Sequence, residues 1–561
     1  MKNYDVVILG GGLAGLSLSI QLKKSRSETS ILVLEMRVDE ASTATHKVGE
    51  STVELATYYL REVLGMKDYL IEHQLPKEGL RYFLSPEHSD DISKRFEVGP
   101  FYSPKYPSHQ LDRGLLENEM ARKSTEMGST CLLGAKVKNV DLNVDENTHN
   151  VTYLRNDDSI TVSSRWVVDA TGRGSFLKRK LKFQKEMDHN INSVWFRVDK
   201  AVDISDWSDN EEWKSKVKPG FRRLATNHMM GTGYWVWIIP LVSGITSIGI
   251  VADEDVHPFK TINSYEKAMN WLKKHEPVAH KNLSEISEEP LDFRVLKHFP
   301  HHTGKLYSRE RWAVTGEAGA FLDPFYSPGS DLIAINNTFV NDLINRELND
   351  EDIYLRSLVY EQTHIAVVDN WLPVYQYQYP GFGNTQIMLI KIVWDWAIYW
   401  AVPALVYYNE GYINMTVLKR LFSAENSAGR KLGALNKRVQ KLFIDWLPHD
   451  TEKFANQYFD IFDMSLLKDL HEEIQTKYEV KDLIIKVEGN VKMLEHDAAE
   501  LFRLVSNKVN GTPLDMKVDP YKMDLANPEN NIEGGLEPNA KAVKDVRMMW
   551  LYNTLETAES V

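Results

Sequence analysis

The segment YWVWIIPL places two tryptophans two positions apart, Trp235 and Trp237, and ends just past Pro240. Side chains two apart on a strand point to the same face, so both indoles would cover one surface. Farther upstream, LPKEGLRYF sets Lys77 in front of a short aromatic run. An ammonium group donates hydrogen bonds, and its amine form is a nucleophile. Two simpler interpretations stay open, a packed aromatic strand and a solvated lysine.

A glycine-rich turn near the N-terminus has the spacing of a dinucleotide site. YDVVILGGGLAGLSLSIQLKKS predicts a buried strand, a turn and a helix, and SILVLEM predicts the second strand of a βαβ unit. G-x-G-x-x-G permits a tight turn and brings a helix N-terminus against a pyrophosphate. Glu35, about twenty residues on, stands where a carboxylate takes ribose hydroxyls. The turn residues predicted to contact the dinucleotide are Gly10, Gly12, Leu13, Ala14 and Gly15.

Two later segments indicate which dinucleotide this is. RWVVDATGRGS leads a strand into Asp169, and ERWAVTGEAGAF leads another into Gly316 and Glu317. With the glycine turn, they resemble the FAD-dependent monooxygenase superfamily of the p-hydroxybenzoate hydroxylase type, whose last segment usually reads Gly-Asp-Ala. The resemblance implies bound FAD, with Glu317 replacing the usual aspartate. It also implies that Arg113, in HQLDRGLLENEM, lies near the flavin phosphates or ring, although a surface charge is the competing interpretation.

Four further motifs resemble those of the flavin-dependent halogenases, a branch similar to this superfamily. W-x-W-x-I-P marks a strand beside the flavin in those enzymes, and it is matched by Trp235, Trp237, Ile239 and Pro240. The resemblance implies that Trp235, Trp237 and Pro240 shield the flavin. Gly49-Glu50-Ser51-Thr52 resembles a halogenase turn, which implies cofactor contacts for Ser51 and Thr52.

The other two motifs bear on the reaction itself. Lys77 followed by Gly79, Arg81 and Phe83 resembles the pattern that carries the catalytic lysine in tryptophan and phenolic halogenases. F-x-x-P-x-x-S-x-G is matched by Phe321, Pro324, Ser327 and Gly329. This match implies cofactor contacts for Pro324 and Gly329 and a role for Ser327 in the reaction.

The last motif departs from the tryptophan halogenases. They carry a glutamate where this chain has Tyr326, which counts against an indole substrate oriented in their way. Pro328 has no N–H to donate to a halide, so Gly329 and Ser330 are the remaining donor candidates.

The halogenase resemblance implies a specific chemistry. Reduced FAD and oxygen would convert chloride or bromide to hypohalous acid, while the tryptophan pair keeps the organic substrate away from the flavin. Lys77 would then hydrogen-bond the hypohalous acid or become a haloamine. Glu50 and Tyr326 are the candidates for the partner base, and a structural role for Glu50 is an equal alternative.

Composition limits the partners and the cellular location. The chain of 561 residues has a formal net charge of -13, which argues against nucleic acid as a partner. Its single cysteine, Cys131, rules out a disulfide framework, and the N-terminus predicts a strand rather than a signal peptide. The apolar stretch 386–408 contains Lys391 and Asp395, which counts against a transmembrane segment. We expect a cytoplasmic protein.

We predict an α/β fold in which a Rossmann-like FAD-binding domain is interleaved with a β-sheet substrate domain and followed by a mainly helical C-terminal region. The FAD-binding domain is predicted to comprise residues 1–115, 160–190 and 300–346. The substrate sheet comprises 191–299 with parts of 70–110, and the helical region comprises 347–561. In the halogenases such helices cover the substrate site. Four aromatic residues there either line a pocket or belong to the core: Tyr375, Tyr377, Tyr379 and Phe382.

The function predicted from this resemblance is a two-component halogenase. It would take reduced FAD from a separate flavin reductase, because a second G-x-G-x-x-G is absent, although internal reduction by NADPH is the alternative in this superfamily. The substrate would be an aromatic small molecule, free or carrier-bound, of phenolic or resorcinol type. The alternatives are a monooxygenase that hydroxylates or epoxidises an apolar substrate, a geranylgeranyl-reductase-like flavoenzyme, and a non-catalytic binding scaffold.

Overall fold

The protein is an α/β structure with two large β-sheets and a C-terminal region built mainly of helices. The computed structural model describes residues 2–42, 49–143, 148–286, 289–511, 515–531 and 534–551. For residues 530, 531 and 548–551 it describes the backbone alone. The predicted fold class is confirmed.

The strands of the described chain follow in sequence order. They are β1 (Asn3–Leu9), β2 (Ile31–Leu34), β3 (Leu75–Lys77), β4 (Leu80–Phe83), β5 (Glu97–Val98), β6 (Ser108–Gln110), β7 (Thr130–Leu132), β8 (Lys136–Asp141), β9 (His149–Arg155), β10 (Asp158–Asp169), β11 (Gln184–Lys185), β12 (Ile191–Val198), β13 (Thr226–Gly231), β14 (Tyr234–Pro240), β15 (Thr246–Asp253), β16 (Asp292–Leu296), β17 (His302–Thr303), β18 (Tyr307–Ser308), β19 (Trp312–Val314) and β20 (Tyr458–Phe459).

The α-helices range from single turns to a helix of 31 residues. They are α1 (Leu13–Ser25), α2 (Glu54–Tyr58), α3 (Lys67–His73), α4 (Arg113–Glu126), α5 (Phe176–Lys180), α6 (Glu211–Ser215), α7 (Phe221–Leu224), α8 (Tyr265–His275), α9 (Pro277–Ser284), α10 (Pro328–Leu348), α11 (Tyr354–Trp371), α12 (Thr385–Tyr399), α13 (Leu405–Tyr408), α14 (Met415–Leu418), α15 (Ala428–Trp446), α16 (Ser465–Glu473), α17 (Val480–Asn510) and α18 (Ala540–Leu551).

The first sheet has a parallel centre in the order β19-β10-β1-β2-β7. In the register, Leu9 lies beside both Leu34 and Asp169, and Asp169 lies beside Val314. The carboxyl ends of these strands therefore meet at one edge, where open α/β sheets bind their ligands. Four segments that are distant in sequence come together there, since the loops after β1, β2, β10 and β19 all begin at this edge.

The second sheet has the order β16-β12-β15-β14-β13-β4-β5-β20, antiparallel except for the β13-β4 and β5-β20 pairs. Side chains of β14 alternate between its two faces, as the pleat requires. Trp235, Trp237 and Ile239 pack into the main core, whereas Val236 and Ile238 pack into a separate cluster under α8 and α9. β20 shows that the C-terminal region contributes a strand to this sheet.

The C-terminal region is centred on one long apolar helical segment, Thr385–Tyr408. α12 continues into α13 through a π-helical turn, Trp400–Ala404, which accommodates Pro403 and its missing N–H. Within the described ranges, Thr385–Tyr408 is the one helical segment that is long and apolar enough to cross a membrane. The helix has the character of a core helix, because 89% of its most apolar window is buried within the protein.

Candidate active site

The carboxyl edge of the first sheet opens into a cavity of about 560 Å³, which we call the glycine cavity. It is lined by most of the residues predicted to contact the cofactor: Gly10, Gly12, Leu13, Ala14, Glu35, Ser51, Arg113, Glu317, Pro324 and Gly329. Four others do not line it and lie behind its walls: Gly15, Thr52, Asp169 and Gly316.

Close backbone contacts explain why glycines stand in this turn. Gly10 has a φ of +106°, and a Cβ there would lie 2.3 Å from the Ala170 carbonyl oxygen. A Cβ on Gly15 would lie 2.0 Å from the Gly10 carbonyl oxygen. A Cβ on Gly316, where φ is +62°, would lie 2.7 Å from the Ala14 Cβ. Glycine alone permits these approaches, which leave a cradle of bare backbone at the N-terminus of α1.

Two carboxylates hold the loops that form this cradle. Glu35 Oε2 accepts a hydrogen bond from the Gly11 N–H at 2.8 Å, and the Glu35 side chain also lines the cavity. Asp169 is fully buried, and it accepts hydrogen bonds from the Thr171 N–H and hydroxyl and from the Leu177 N–H. Burial raises the pKa of Asp169. Glu35 thus faces the ligand space, whereas Asp169 fixes the loop after β10.

Arg113 brings a positive charge to the glycine cavity. It is the first residue of α4, it is 8% exposed, and it is therefore no surface charge. Its guanidinium donates to the Gly49 carbonyl at 3.2 Å and to the Glu117 carboxylate at 2.7 Å. The glycine backbone, the helix N-terminus, this guanidinium and the Glu35 carboxylate suit the diphosphate and ribose of a dinucleotide. The residues present therefore fit FAD.

The two tryptophans of β14 form one wall of the glycine cavity. Their ring centroids lie 5.7 Å apart, and both side chains are buried. Trp235 Nε1 donates to the Tyr379 hydroxyl at 3.0 Å, and that hydroxyl donates to Asp323 at 2.8 Å. A Cβ on Gly249 would lie 2.2 Å from the Trp237 ring, so the neighbouring strand β15 carries a glycine to admit this indole. Pro240 ends the strand and does not line the cavity.

A second cavity of about 100 Å³, the lysine cavity, lies under the C-terminal helices. Aromatic and aliphatic side chains dominate its lining, as in small-molecule sites generally. The aromatic lining residues are Tyr326, Trp371, Tyr375, Trp396, Tyr399, Trp400 and Phe462. Tyr375 is thus the member of the predicted aromatic set that lines this cavity, while Tyr379 instead bonds to Trp235.

Lys77 is the last residue of β3 and is 3% exposed. Its Nζ donates a hydrogen bond to the Thr52 carbonyl oxygen at 2.6 Å, and its side chain lines the lysine cavity. Burial lowers the pKa of Lys77 to about 7, against the opposing attraction of Glu54 and Asp331. A surface lysine would not show such a shift, so the solvated-charge interpretation of Lys77 does not describe this structure.

Two chain segments, 50–54 and 326–331, separate the cavities, and we call them the partition. Each segment contributes lining residues to both cavities. Glu50, Ser51, Ser327, Gly329 and Ser330 line the glycine cavity. Val53, Glu54, Tyr326, Pro328 and Asp331 line the lysine cavity. Tyr326 and Ser327 both have positive φ, +67° and +59°, an uncommon pair for non-glycine residues and one typical of functional sites.

Two carboxylates near Lys77 were not singled out from the sequence. Asp331, in the first turn of α10, accepts hydrogen bonds from the Ala56 N–H at 2.8 Å and the Tyr399 hydroxyl at 2.7 Å. Glu54, the first residue of α2, pairs with His471 at 3.3 Å. The available sequence signals were their positions: Glu54 lies two residues after the Gly49–Thr52 turn, and Asp331 lies four residues after Ser327.

A third carboxylate bonds Tyr326 at the cavity wall. The Tyr326 hydroxyl donates to Asp395 Oδ2 at 3.0 Å, and Lys391 Nζ donates to the same oxygen at 2.8 Å. Gln440 bonds both Asp395 and Lys391. Burial raises the pKa of Asp395 and lowers that of Lys391. The charges that interrupt the apolar stretch 386–408 therefore form a buried ion pair beside the lysine cavity.

Glu50 faces the glycine cavity and not the lysine cavity. Its carboxylate accepts a hydrogen bond from Arg197 at 2.7 Å, and Arg197 also pairs with Asp292 at 3.0 Å. Burial raises the pKa of Glu50, while Arg197 and Ser247 oppose the rise. The structure therefore places Glu50 and Lys77 on opposite sides of the partition.

Comparison with known proteins extends these observations. Residues 3–247 match an FAD binding domain family. The chain is 29% identical over 437 residues to the flavin-dependent halogenase chlA of Dictyostelium discoideum, covering 72% of this chain and 71% of that protein. It is 24% identical over 388 residues to a Pseudomonas fluorescens chlorinase of 1H-pyrrole-2-carbonyl on a peptidyl-carrier protein, covering 66% of this chain and 82% of that protein.

A solved structure with a similar fold is halogenase PltM in complex with phloroglucinol and FAD. It aligns with a TM-score of 0.61 and 16% identity, covering 88% of this chain and 96% of that one. The expected FAD cofactor and the expected resemblance are confirmed, because the family match and the relatives agree with the glycine cavity.

Proposed function

We propose that this chain is an FAD-dependent enzyme of the flavin-dependent halogenase type and that it halogenates a phenolic or resorcinol-like ring held beside Lys77. The oxidants would be oxygen and chloride or bromide, with reduced FAD in the glycine cavity. The observation that carries the proposal is the buried Lys77 amine in an aromatic cavity that a partition separates from the cofactor. In this proposal the halogen, and not the ring, crosses the partition.

When bound, reduced FAD would supply two of the four electrons that reduce oxygen, and the halide would supply the other two as it is oxidised to hypohalous acid. The residues of the protein then determine which groups the hypohalous acid can reach. Trp235 and Trp237 occupy the wall where an aromatic substrate would otherwise approach the cofactor. A flat ring bound in the lysine cavity is kept behind the partition, while a small oxidant needs only a narrow passage.

Backbone N–H groups of the partition suit a halide. Gly329 and Ser330 lie in the first turn of α10 and line the glycine cavity. Pro328 is the first residue of this helix, where its missing N–H costs no intrahelical hydrogen bond. We therefore assign the halide to the glycine-cavity side of the N-terminus of α10, which attracts anions. The Ser327 side chain, which carries a hydroxyl, lies beside this halide site on the same side of the partition.

The lysine cavity carries two tyrosine–carboxylate pairs. Tyr399 donates to Asp331, and Tyr326 donates to Asp395. Both carboxylates already accept hydrogen bonds from the protein, but a carboxylate has about four acceptor positions, so each can accept one more from a ligand hydroxyl. A ring with two hydroxyls satisfies two such acceptors. The named relatives include a structure with phloroglucinol and a chlorinase of a carrier-bound pyrrole, so both free and carrier-bound rings are included in the test.

The remaining assignments follow from the same proposal. We assign the FAD-binding domain to residues 1–115, 160–190 and 300–346, and the substrate sheet to 191–299 with parts of 70–110. The helices of 347–561 cover the substrate. A separate flavin reductase in the cytoplasm supplies the reduced FAD.

The test uses the purified chain with a flavin reductase, NADH, FAD, oxygen and either chloride or bromide. Phenols, resorcinols and indoles are offered free and on a carrier protein, and the products are analysed by mass spectrometry. The proposal predicts phenolic or resorcinol products with the isotope pattern of the supplied halogen. Products that gain only oxygen, whatever the halide, would contradict it and identify a hydroxylase.

A further inference from the structure

Ionisable groups from three separate elements line the lysine cavity together. Lys77 comes from β3, Glu54 from α2 and Asp331 from α10, and all three line the cavity. Glu54 and Asp331 both shift the pKa of Lys77, and both Glu54 and Lys77 shift the pKa of Asp331. None of these three residues lines the glycine cavity, so binding of FAD does not account for the cluster.

The two carboxylates differ in what holds them. Burial works to raise the pKa of Glu54, but the hydrogen bond and charge of His471 outweigh it, and this pKa lies below its usual value. Burial raises the pKa of Asp331 to about 7, while Tyr399 and the Ala56 N–H oppose the rise. Asp331 therefore exchanges its proton near neutral pH, whereas Glu54 remains ionised.

We propose that Asp331 is the acid–base residue that carries the proton from a substrate hydroxyl to the Lys77 nitrogen. This rests on the proposed halogenation at Lys77. Asp331 suits the task by position, because it lines the same cavity as Lys77 while two hydrogen bonds fix its side chain. Tyr399 is its positioning residue, and the Tyr326–Asp395 pair then serves as the anchor for a second hydroxyl.

The Lys77 amine attacks the halogen of hypohalous acid, the O–X bond breaks, and water leaves with one N–H proton, so that an N–X bond remains. The Asp331 carboxylate removes the phenol proton, and the ring carbon attacks the halogen as the N–X bond breaks. Asp331 returns this proton to the nitrogen, which restores the amine. The ring C–H proton then moves to the substrate oxygen, giving the halophenol.

The test compares Asp331→Asn with Asp342→Asn. Asp342 lies on the same helix and likewise accepts a tyrosine hydroxyl, from Tyr360 at 2.6 Å, but it lines neither cavity. With a phenol that is protonated at the assay pH, D331N should reduce kcat by about 10²-fold, the usual size of a general-base effect. With a phenol already ionised at that pH, the loss should be only a few-fold. D342N should leave both rates unchanged.

The contrast between the two phenols separates a proton-transfer role from a structural one. Equal losses on both phenols, or no loss on either, would overturn the assignment. A wild-type chain that halogenates neither phenol would instead refute the proposed function, and the role of Asp331 is then decided by a second measurement that needs no cofactor.

That measurement is the pH dependence with which acetic anhydride acetylates Lys77, followed by mass spectrometry of its peptide. The Asp331 carboxylate favours the charged ammonium, so the midpoint should fall in D331N relative to the wild type and stay constant in D342N. An unchanged or higher midpoint in D331N would show that Asp331 does not act on this amine and would overturn the proposal.

Discussion

Part of the glycine cavity is bare backbone at the turn before α1, whereas aromatic and aliphatic side chains dominate the lining of the lysine cavity. In the first, Gly10, Gly15 and Gly316 let loops and a helix approach closely. In the second, Lys77, Asp331 and Asp395 are brought together from β3, α10 and α12 within an aromatic shell. Binding by backbone groups suits a cofactor that many enzymes share. A cavity lined by side chains can differ between enzymes that act on different substrates. The proposal therefore assigns recognition of the aromatic substrate to the lysine side of the partition.

The largest effect is expected on the lysine side. Lys77→Ala removes the amine that would take up the halogen, and we expect product formation to fall by about 10³-fold or more. Oxygen consumption and hypohalous acid release should continue, because the glycine cavity is untouched. Lys77→Arg keeps a charge but cannot serve as an amine nucleophile, so it should be equally inactive. Substantial halogenation by the arginine variant would show that charge alone suffices.

On the glycine side, Gly10→Ala should weaken FAD binding by about 10- to 100-fold, since strain of this kind costs about 1–3 kcal/mol. The added Cβ would lie 2.3 Å from the Ala170 carbonyl oxygen. Flavin fluorescence titration measures the affinity. Gly381→Ala is the matched control, because a Cβ there meets nothing within 4 Å. If G10A and G381A bind FAD equally, the backbone cradle is not the binding site.

The sequence could predict the glycine side because its requirements are local. A close backbone approach needs glycine at fixed spacing, and a parallel sheet brings the loops after its strands to one edge, so the turn at Gly10 and the loops at Asp169 and Gly316 were recognisable. Lys77 was found through a short motif. Asp331 and Asp395 were not, because their meeting depends on how α10 and α12 pack, and no spacing along the chain encodes that packing.

A smaller effect should appear in the pH dependence of the halogenation step. Burial lowers the pKa of Lys77 to about 7. The fraction of Lys77 in the neutral amine form therefore rises as the pH increases past this value. A single group with that pKa predicts roughly a tenfold increase in kcat between pH 6 and pH 8, and ionisation of Asp331 acts in the same direction. Flavin oxidation, measured in parallel, should not follow this profile. A halogenation rate that falls as the pH rises would favour a reacting ammonium.

The smallest effect concerns the tryptophan wall. Tyr379→Phe removes the acceptor for Trp235 Nε1, a hydrogen bond with a net contribution of about 1 kcal/mol. We expect about a fivefold rise in the ratio of oxygenated to halogenated product, because the indole is held less firmly. Tyr234→Phe is the control: this hydroxyl bonds Glu276 on the other face of the same strand. Equal product ratios in the two variants would show that the tryptophan wall does not shield the flavin.

In the proposed reaction, the halogen passes through the partition to Lys77 without leaving the protein. The most direct measurement follows halogenated product in the presence of excess free methionine, which consumes hypohalous acid in solution. The wild type should form product at an undiminished rate, while in Lys77→Ala the methionine should capture the oxidant and no product should form. Loss of product from the wild type on adding methionine would contradict the claim, since the reaction would then take place in solution.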